Sequence, residues 1–397
     1  MAALDGLRVL DLSTGIAGGF CTRLLGDFGA DVVKVEPPSP TGGLRSIGPF
    51  ANRKAPHESG ALHLYLNASK RSLVLNTASP TGRQVLHDLL GKADVLVDDR
   101  EVGALARDGF PPEQLAEEFP RLVVTLLSAF GQTGPYATAP ATNLTSFATG
   151  GQMASTGDPD REPLKTGGYQ ADYQLGLNGF TATLAGVWAQ GETGIGDTID
   201  VSAMECMAST LEIMLNTYCY LKMDYWLGRK GNVLSGTLGL YPCEDGYLGV
   251  HAMPRNFPAL ARLMDAEWML EDERFHDNAS RLANDDELRA HVYAWALTQK
   301  KKEAYKRAGE IRAPVAYVHE IPDLLDSPHL KERGYFQRIE HPVAGTLTYP
   351  GPVFRMSETP AEPRRAPLLG EHTDEVLAEW LGLGADDIDV LRGSGVI

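Results

Sequence analysis

The chain reads as an α/β protein built on a parallel sheet, and three observations predict it. LRVLDLS (7–13), a glycine-containing turn, a helix around Phe20 to Phe28 and DVVKVEPP (31–38) follow in β-turn-α-β order, which is how a parallel sheet starts. The alternation then continues through SLVLN (72–76), a helix from about Pro80 to Lys92, DVLVD (94–98) and LVVTLLS (122–128). Finally, 397 residues are too many for one small core, so two domains or one elaborated α/β domain are expected.

The elements are justified in order by their residues. The two prolines at 37 and 38 stop the second strand. A long irregular segment, 39–60, carries Arg45, Arg53 and Lys54, and LVVTLLS leads into the glycine-rich turn FGQTGPY (130–136). Leu177, Phe180, Leu184, Val187 and Trp188 step at helical spacing and predict a buried stripe. Asp172 therefore falls in or just ahead of that helix's first turn, where unpaired N–H groups and the helix dipole favour a negative charge. Gly176, Gly179, Ala182, Ala185 and Gly186 leave room for another backbone or a bulky ligand.

IDVS (199–202) leads into a Met-rich helix from Ala203 to about Tyr220. The texture then changes. GRKGN (228–232) is a loop, 238–252 reads as a hairpin turning at Asp245-Gly246, and helices dominate from Phe257 to about Leu325. This predicts a large domain from 1–224 and 331–397 and a smaller α+β domain over 225–330. The Pro/Gly-rich segment 341–360 runs back to the large domain, and a last helix spans Thr373 to Leu381.

Asp and Glu number 52 against 36 Lys and Arg, a formal charge of −16, which argues against nucleic-acid and acidic-membrane partners. Four scattered cysteines form no C-x-x-C pair, so neither a disulfide framework nor a zinc site is expected and a reducing compartment fits. Asp5 stands where a signal peptide would be basic, and no window approaches a membrane span; a cytoplasmic protein is expected.

Three patterns could carry chemistry. Gly15, Gly18 and Gly19 after the first strand, with Glu36 ending the next, offer a dinucleotide reading. Their spacing is G-x-x-G-G rather than G-x-G-x-x-G, which favours a structural turn. Lys70 and Arg71 stand just before a strand, a place to meet a phosphate or simply a solvated surface pair. Asp172, ionised and with space around it, suits covalent acyl transfer, although a plain helix cap is the simpler reading of that window. His57, His63, His87 and His251 show no metal spacing, and no G-x-S-x-G occurs; no metal is expected.

Taken together, eight segments resemble the family III CoA-transferases (the CaiB/BaiF family), nearly end to end. They are LRVLDLS-x7-C-x2-LLGDFGADVVKVEPP (7–38), LN-x2-KRSLVLN (66–76), ADVLVDD (93–99), FGQTGPY (130–136), GDPDREPLKTGGYQADYQLGLNG (157–179), TGIGDTIDVSAMECM (193–207), RKGN (229–232) and APLLGEHTDEVL (366–377). The resemblance implies a Rossmann-like large domain made from the N- and C-terminal parts, a smaller domain, and two chains interlocked as a homodimer. It implies Asp172 as the nucleophile that takes an acyl group from acyl-CoA as an anhydride, CoA then passing to an acceptor carboxylic acid. CoA is a substrate rather than a resident cofactor.

It further implies CoA contacts at Leu75, Thr77, Asp99, Ala104 and Arg107, with oxyanion donors near Gly15 to Gly19. The family commonly reads V-E-N-F-R-P-G where this chain has Val97-Asp98-Asp99-Arg100-Glu101-Val102-Gly103. Asn has become Asp99 and Arg has become Glu101, so Arg100 or the Lys70/Arg71 pair is expected to compensate at the CoA site. Two alternatives remain. The racemase branch is disfavoured because Thr142 stands where its His would be and Pro254 or a neighbour where its supporting Glu would be. The other is a non-catalytic acyl-CoA-binding protein.

Overall fold

The computed structural model describes residues 2–39, 42–51, 57–222, 229, 231 and 233–397. Arg53, Lys54, the 224/225 boundary and most of the expected 228–232 loop lie outside the described residues. Six strands, β1 (Arg8–Asp11), β2 (Asp31–Glu36), β3 (Arg71–Val74), β4 (Val95–Asp98), β5 (Val123–Ser128) and β6 (Thr198–Ser202), form one sheet in the order β3-β2-β1-β4-β5-β6. All pairs are parallel, with Val9 opposite Val32 on one side and Val95 on the other. The helices up to the midpoint are α1 (Ile16–Asp27), α2 (Ala61–Leu66), α3 (Pro80–Leu90), α4 (Ala104–Arg107), α5 (Pro112–Glu118), α6 (Asn143–Thr149) and α7 (Gln170–Thr193).

Strand alternation sorts the core into two layers. Leu10, Val33, Leu73, Leu96 and Val124 point to one face, where Leu86 and Leu89 of α3 and Val376 and Trp380 of the helix Thr373–Leu381 cover them. Val9, Val32, Val95 and Val123 point to the other, against Cys21 and Leu24 of α1 and Leu175 and Phe180 of α7. The C-terminal segment also covers the edge strand β3. The Ser72, Val74 and Asn76 N–H groups donate to His372 Nδ1, Thr373 Oγ1 and the Val396 carbonyl at 3.3, 3.1 and 2.8 Å, which removes an exposed pairing edge.

The described residues divide into two units, one of 1–152, 165–212 and 332–397, the other of 153–164 and 213–331. Segments 153–164 and 213–224 thus fall with the second unit rather than with the expected first domain. That unit has its own antiparallel sheet, ordered β10-β9-β8-β7 from β7 (Val233–Ser235), β8 (Leu238–Cys243), β9 (Gly246–His251) and β10 (Val315–Tyr317). Its core holds Tyr241, Phe257 and Phe275, all fully buried. A last hairpin, β11 (Phe336–His341) with β12 (Gly345–Pro350), belongs to the first unit.

Several expectations are corrected. The first helix begins at Ile16, not Phe20; the hairpin turns at Glu244-Asp245, with Gly246 already in the second strand. The Met-rich helix is broken into 203–208, 212–216 and 217–221. An unexpected helix, Ala385–Gly393, follows the terminal one. The stripe on α7 is also different: Leu177 is 40% and Trp188 75% exposed, while Leu175, Gly176, Gly179, Phe180, Thr183, Gly186 and Gln190 are buried.

The buried face of α7 is built from small residues because backbone meets backbone there. A Cβ on Gly176 would stand 2.5 Å from the Ala17 carbonyl oxygen of α1, and one on Gly179 would stand 2.7 Å from Leu127. Gly176→Ala therefore forces α1 and α7 apart and should cost about 1–3 kcal/mol in urea unfolding. Gly191→Ala in the same helix, where a Cβ meets open space, should instead add about 0.5–1 kcal/mol.

Candidate functional site

In a sheet of this order the strand sequence reverses between β1 and β4, and the crevice at their C-terminal ends is where such sheets place ligands. Three segments reach it: the turn Ser13–Gly18 after β1, residues 98–100 after β4, and the start of α7. Ala17 and Gly176 in contact, followed by Cys21 against Gly179 at 3.6 Å, show that α1 and α7 run the same way, so their N-termini lie at the same edge.

Asp172 occupies the third position of α7. Its Oδ2 accepts one hydrogen bond, from Asn143 Nδ2 at 3.1 Å, and among the described residues no cation pairs with it. Burial raises its carboxyl above the ordinary value; the Asn143 bond opposes that rise and the charge of Asp99 adds to it. Asn143 is the first residue of α6, whose N-cap is Thr142: Thr142 and Thr145 exchange side-chain and backbone hydrogen bonds there.

Asp99 takes the donors of the first βα turn. Its Oδ1 accepts from the N–H groups of Thr14 (2.7 Å) and Gly15 (3.0 Å), and its Oδ2 from Gly15 (3.1 Å) and Gly18 (2.9 Å). Only glycine fits at 15, where a Cβ would lie 2.8 Å from Asp99 Oδ2. The G-x-x-G-G turn is thus filled by the chain's own carboxylate, as the structural reading had it. Among the described residues the Ile16 and Ala17 N–H groups are the turn's unpartnered donors. Glu36, the candidate ribose ligand, is buried and bound through both oxygens to Arg45, at 2.7 and 2.9 Å.

The other expected residues are placed as follows. Lys70 is buried, its three donors spent on Asp11 Oδ2 (2.8 Å), Asn67 Oδ1 (2.9 Å) and the Gly19 carbonyl (3.1 Å). Lys34 pairs with the same Asp11 at 3.2 Å. Burial brings the Lys70 ammonium down to about 8 against the pull of Asp11. Arg71 points to the opposite edge of the sheet, where Asp31, Glu375 and Glu379 hold it at 2.5–3.0 Å. Arg100 is bound by Asp98 and Asp108 at 2.8 and 2.6 Å. None of these three is an open cation beside the crevice, so the compensation expected of them at the CoA site is not seen.

Leu75 and Ala104 are buried and Thr77 is half-buried. Arg107 pairs with Glu101, and these side chains are 57% and 78% exposed; such a pair is weak enough to exchange partners. A cavity of about 110 Å³ opens beside the turn, lined by Ser13, Thr14, Lys34, Glu36, Gly43 and Arg45. A larger groove of about 660 Å³, between α3 and the two C-terminal helices, contains none of the expected site residues. Among the described residues no cluster of His, Cys, Asp or Glu could hold a metal ion.

The model of CoA-transferase family III matches residues 4–373. The chain belongs to CoA-transferase family III. It is 32% identical to the succinyl-CoA–L-malate CoA-transferase beta subunit of Chloroflexus aurantiacus, over 99% of this chain and 98% of that one. It is 29% identical to the formyl-CoA:oxalate CoA-transferase of Streptomyces coelicolor, over 100% and 99%. The crystal structure of a CaiB/BaiF family protein from Brucella suis superposes with a TM-score of 0.84 at 29% identity, covering 96% of this chain and 99% of that one. This family III chain is accordingly a CoA-transferase enzyme, a class that uses CoA thioesters as substrates.

The partner of Asp172 escaped sequence reading. Asn143 lies 29 residues away, and no local pattern links the two. Lys70→Met would leave Asp11 with one ammonium and strand the Asn67 side-chain acceptor. The loss expected in denaturant unfolding is about 3–5 kcal/mol.

Proposed function

We propose that the enzyme moves CoA from an acyl-CoA thioester to an acceptor carboxylic acid through an acyl anhydride on Asp172. The observation that carries this is the state of Asp172: one oxygen is tethered by Asn143, no cation among the described residues quenches its charge, and a helix N-terminus stands behind it. The free oxygen attacks the thioester carbonyl, the C–S bond breaks and CoA leaves as thiolate. CoA thiolate returning to the Asp172 carbonyl frees the first acid; the acceptor carboxylate then displaces CoA to form a second anhydride, which CoA opens to give the new thioester. Each tetrahedral oxyanion needs N–H donors, and the Ile16 and Ala17 groups are those the turn leaves for it.

Leu75, Thr77, Ala104 and Arg107 remain the proposed CoA contacts, with Arg107 leaving Glu101 for a phosphate. A racemase would need a base at 142; there the Thr142 hydroxyl serves as a helix cap instead. An interlocked homodimer is part of the proposal: Leu177, Trp188 and Ile195 are large apolar side chains exposed on one chain, and a second copy would cover them. The four cysteines are free, and among the described residues no helix is long and apolar enough to cross a membrane. The free thiols support the proposed cytoplasmic setting.

The names of the two curated relatives put dicarboxylic acids such as malate and oxalate first in an acceptor panel. Incubation with acyl-CoA esters and such acids, followed by mass spectrometry, should show CoA exchange, and hydroxylamine should mark residue 172. Asp172→Asn, which keeps an acceptor for Asn143, should lower kcat by about 10³-fold or more without loss of fold. Exchange that survives this change sinks the mechanism. Because the raised carboxyl of Asp172 must be ionised to attack, transfer should fall as pH drops through a value above the ordinary ~3.9, and a rate–pH profile reads it directly.

A further inference from the structure

The crevice holds a second carboxylate that the transfer mechanism has not used. Asp99 rests on the first turn of α1, and Ala17 of that turn touches Gly176, one turn along α7 from Asp172. Both oxygens of Asp99 accept from backbone N–H groups. Burial raises its carboxyl above the ordinary value, and the Gly15, Thr14 and Gly18 N–H bonds oppose that rise; because those groups are donors only, they favour the carboxylate over the protonated acid. Among the described residues it has no salt-bridge partner; Lys34 acts on it only through space.

We propose that Asp99 is a positioning residue whose charge favours acylation of Asp172. When the Asp172 oxygen attacks the thioester and the C–S electron pair leaves with sulfur, residue 172 passes from an anion to a neutral anhydride. Repulsion between the two carboxylates is present before that step and absent after it. The field of Asp99 therefore drives charge from residue 172 to the departing thiolate and makes the resting carboxylate a stronger nucleophile. This rests on the reading of Asp172 as nucleophile.

Among the described residues no other charge facing Asp172 competes with it. Asn143 of α6 is a neutral donor, and the neighbouring Tyr173 hydroxyl is pushed up to about 12 by burial. Around Asp99, Cys21 of α1 is likewise pushed up to about 12 by burial and stays neutral, while Lys34 of β2 shares Asp11 of β1 with Lys70, so that cluster keeps one positive charge, felt by Asp99 through Lys34. An Asn at 99 would turn an NH₂ group toward backbone donors and remove the charge; a Glu would keep the charge and spoil the fit against Gly15.

The test is single-turnover acylation across pH, trapped with hydroxylamine at residue 172, for wild type, Asp99→Asn and Asp99→Glu, with thermal unfolding of each. With a thioester the wild type accepts, the acid limb of wild type should lie above ~3.9. Asp99→Asn should lower that limb by about one pH unit and slow the plateau roughly three- to tenfold. Asp99→Glu should keep the wild-type limb even where its plateau falls. Equal slowing in both variants with unmoved limbs would mean that Asp99 only shapes the turn, and the proposal falls. If Asp99→Asn does not fold, a wild-type limb at the ordinary carboxylate value overturns it. A wild type that traps no acyl group fails the Asp172 reading along with this one; trapping with an unchanged Asp99→Asn profile fails this one alone.

Discussion

Contact between the Ala17 carbonyl and the Cα face of Gly176 is the constraint from which the site follows. Two helices can approach this closely only where one of them has no side chain. Because α1 and α7 run parallel, the same contact brings both N-termini to the C-terminal edge of the sheet. One of those termini carries Asp172 in its first turn; the other offers backbone donors to Asp99. A wider spacing filled by leucines would still give two buried helices, but it would separate the two carboxylates and widen the crevice.

Beneath that turn, charge is used as framework. Asp11 is fully buried between Lys34 and Lys70, and Ser13 and Thr22 supply further hydrogen bonds. Such a cluster adds little net stability over an apolar one of equal volume, but removing one member strands the others. It therefore holds the turn in one arrangement. The same logic explains Glu36 with Arg45 and Arg71 with Asp31. Cations that look available in a linear sequence are struts inside the fold, which matters for a chain of net charge −16 that must accept an anionic coenzyme.

The sheet was legible because strand residues buried on both faces announce themselves as apolar runs between turn signals, as in DVLVD and LVVTLLS. The place of Asp172 at a helix start was legible because the helical spacing of apolar residues begins just after it. The buried face of α7 was legible in part: Gly176, Gly179 and Gly186 were read as room for a neighbouring backbone, which α1 supplies at Gly176, whereas the stripe drawn from large side chains wrongly put Leu177 and Trp188 inside. Lys70 and Arg71 failed as surface cations for a different reason. Their partners Asp11 and Glu375 lie 59 and 304 residues away, and no local pattern encodes such pairings. The break after Ala208 in the Met-rich helix likewise has no glycine or proline to mark it.

Asp99 also decides how an oxyanion can be held. In dinucleotide-binding sheets the donors at this turn face a pyrophosphate; here three of them face the chain's own carboxylate. A ligand phosphate brought to the same place would meet a negative charge with its hydrogen bonds already made. The turn is thereby closed to phosphates, while Ile16 and Ala17 keep one N–H each. Two donors are the complement that acyl-transfer oxyanion holes use. The proposed phosphate contact at Arg107 fits this, because it would keep the coenzyme's phosphates away from the turn and bring only the reacting carbonyl of the thioester to it.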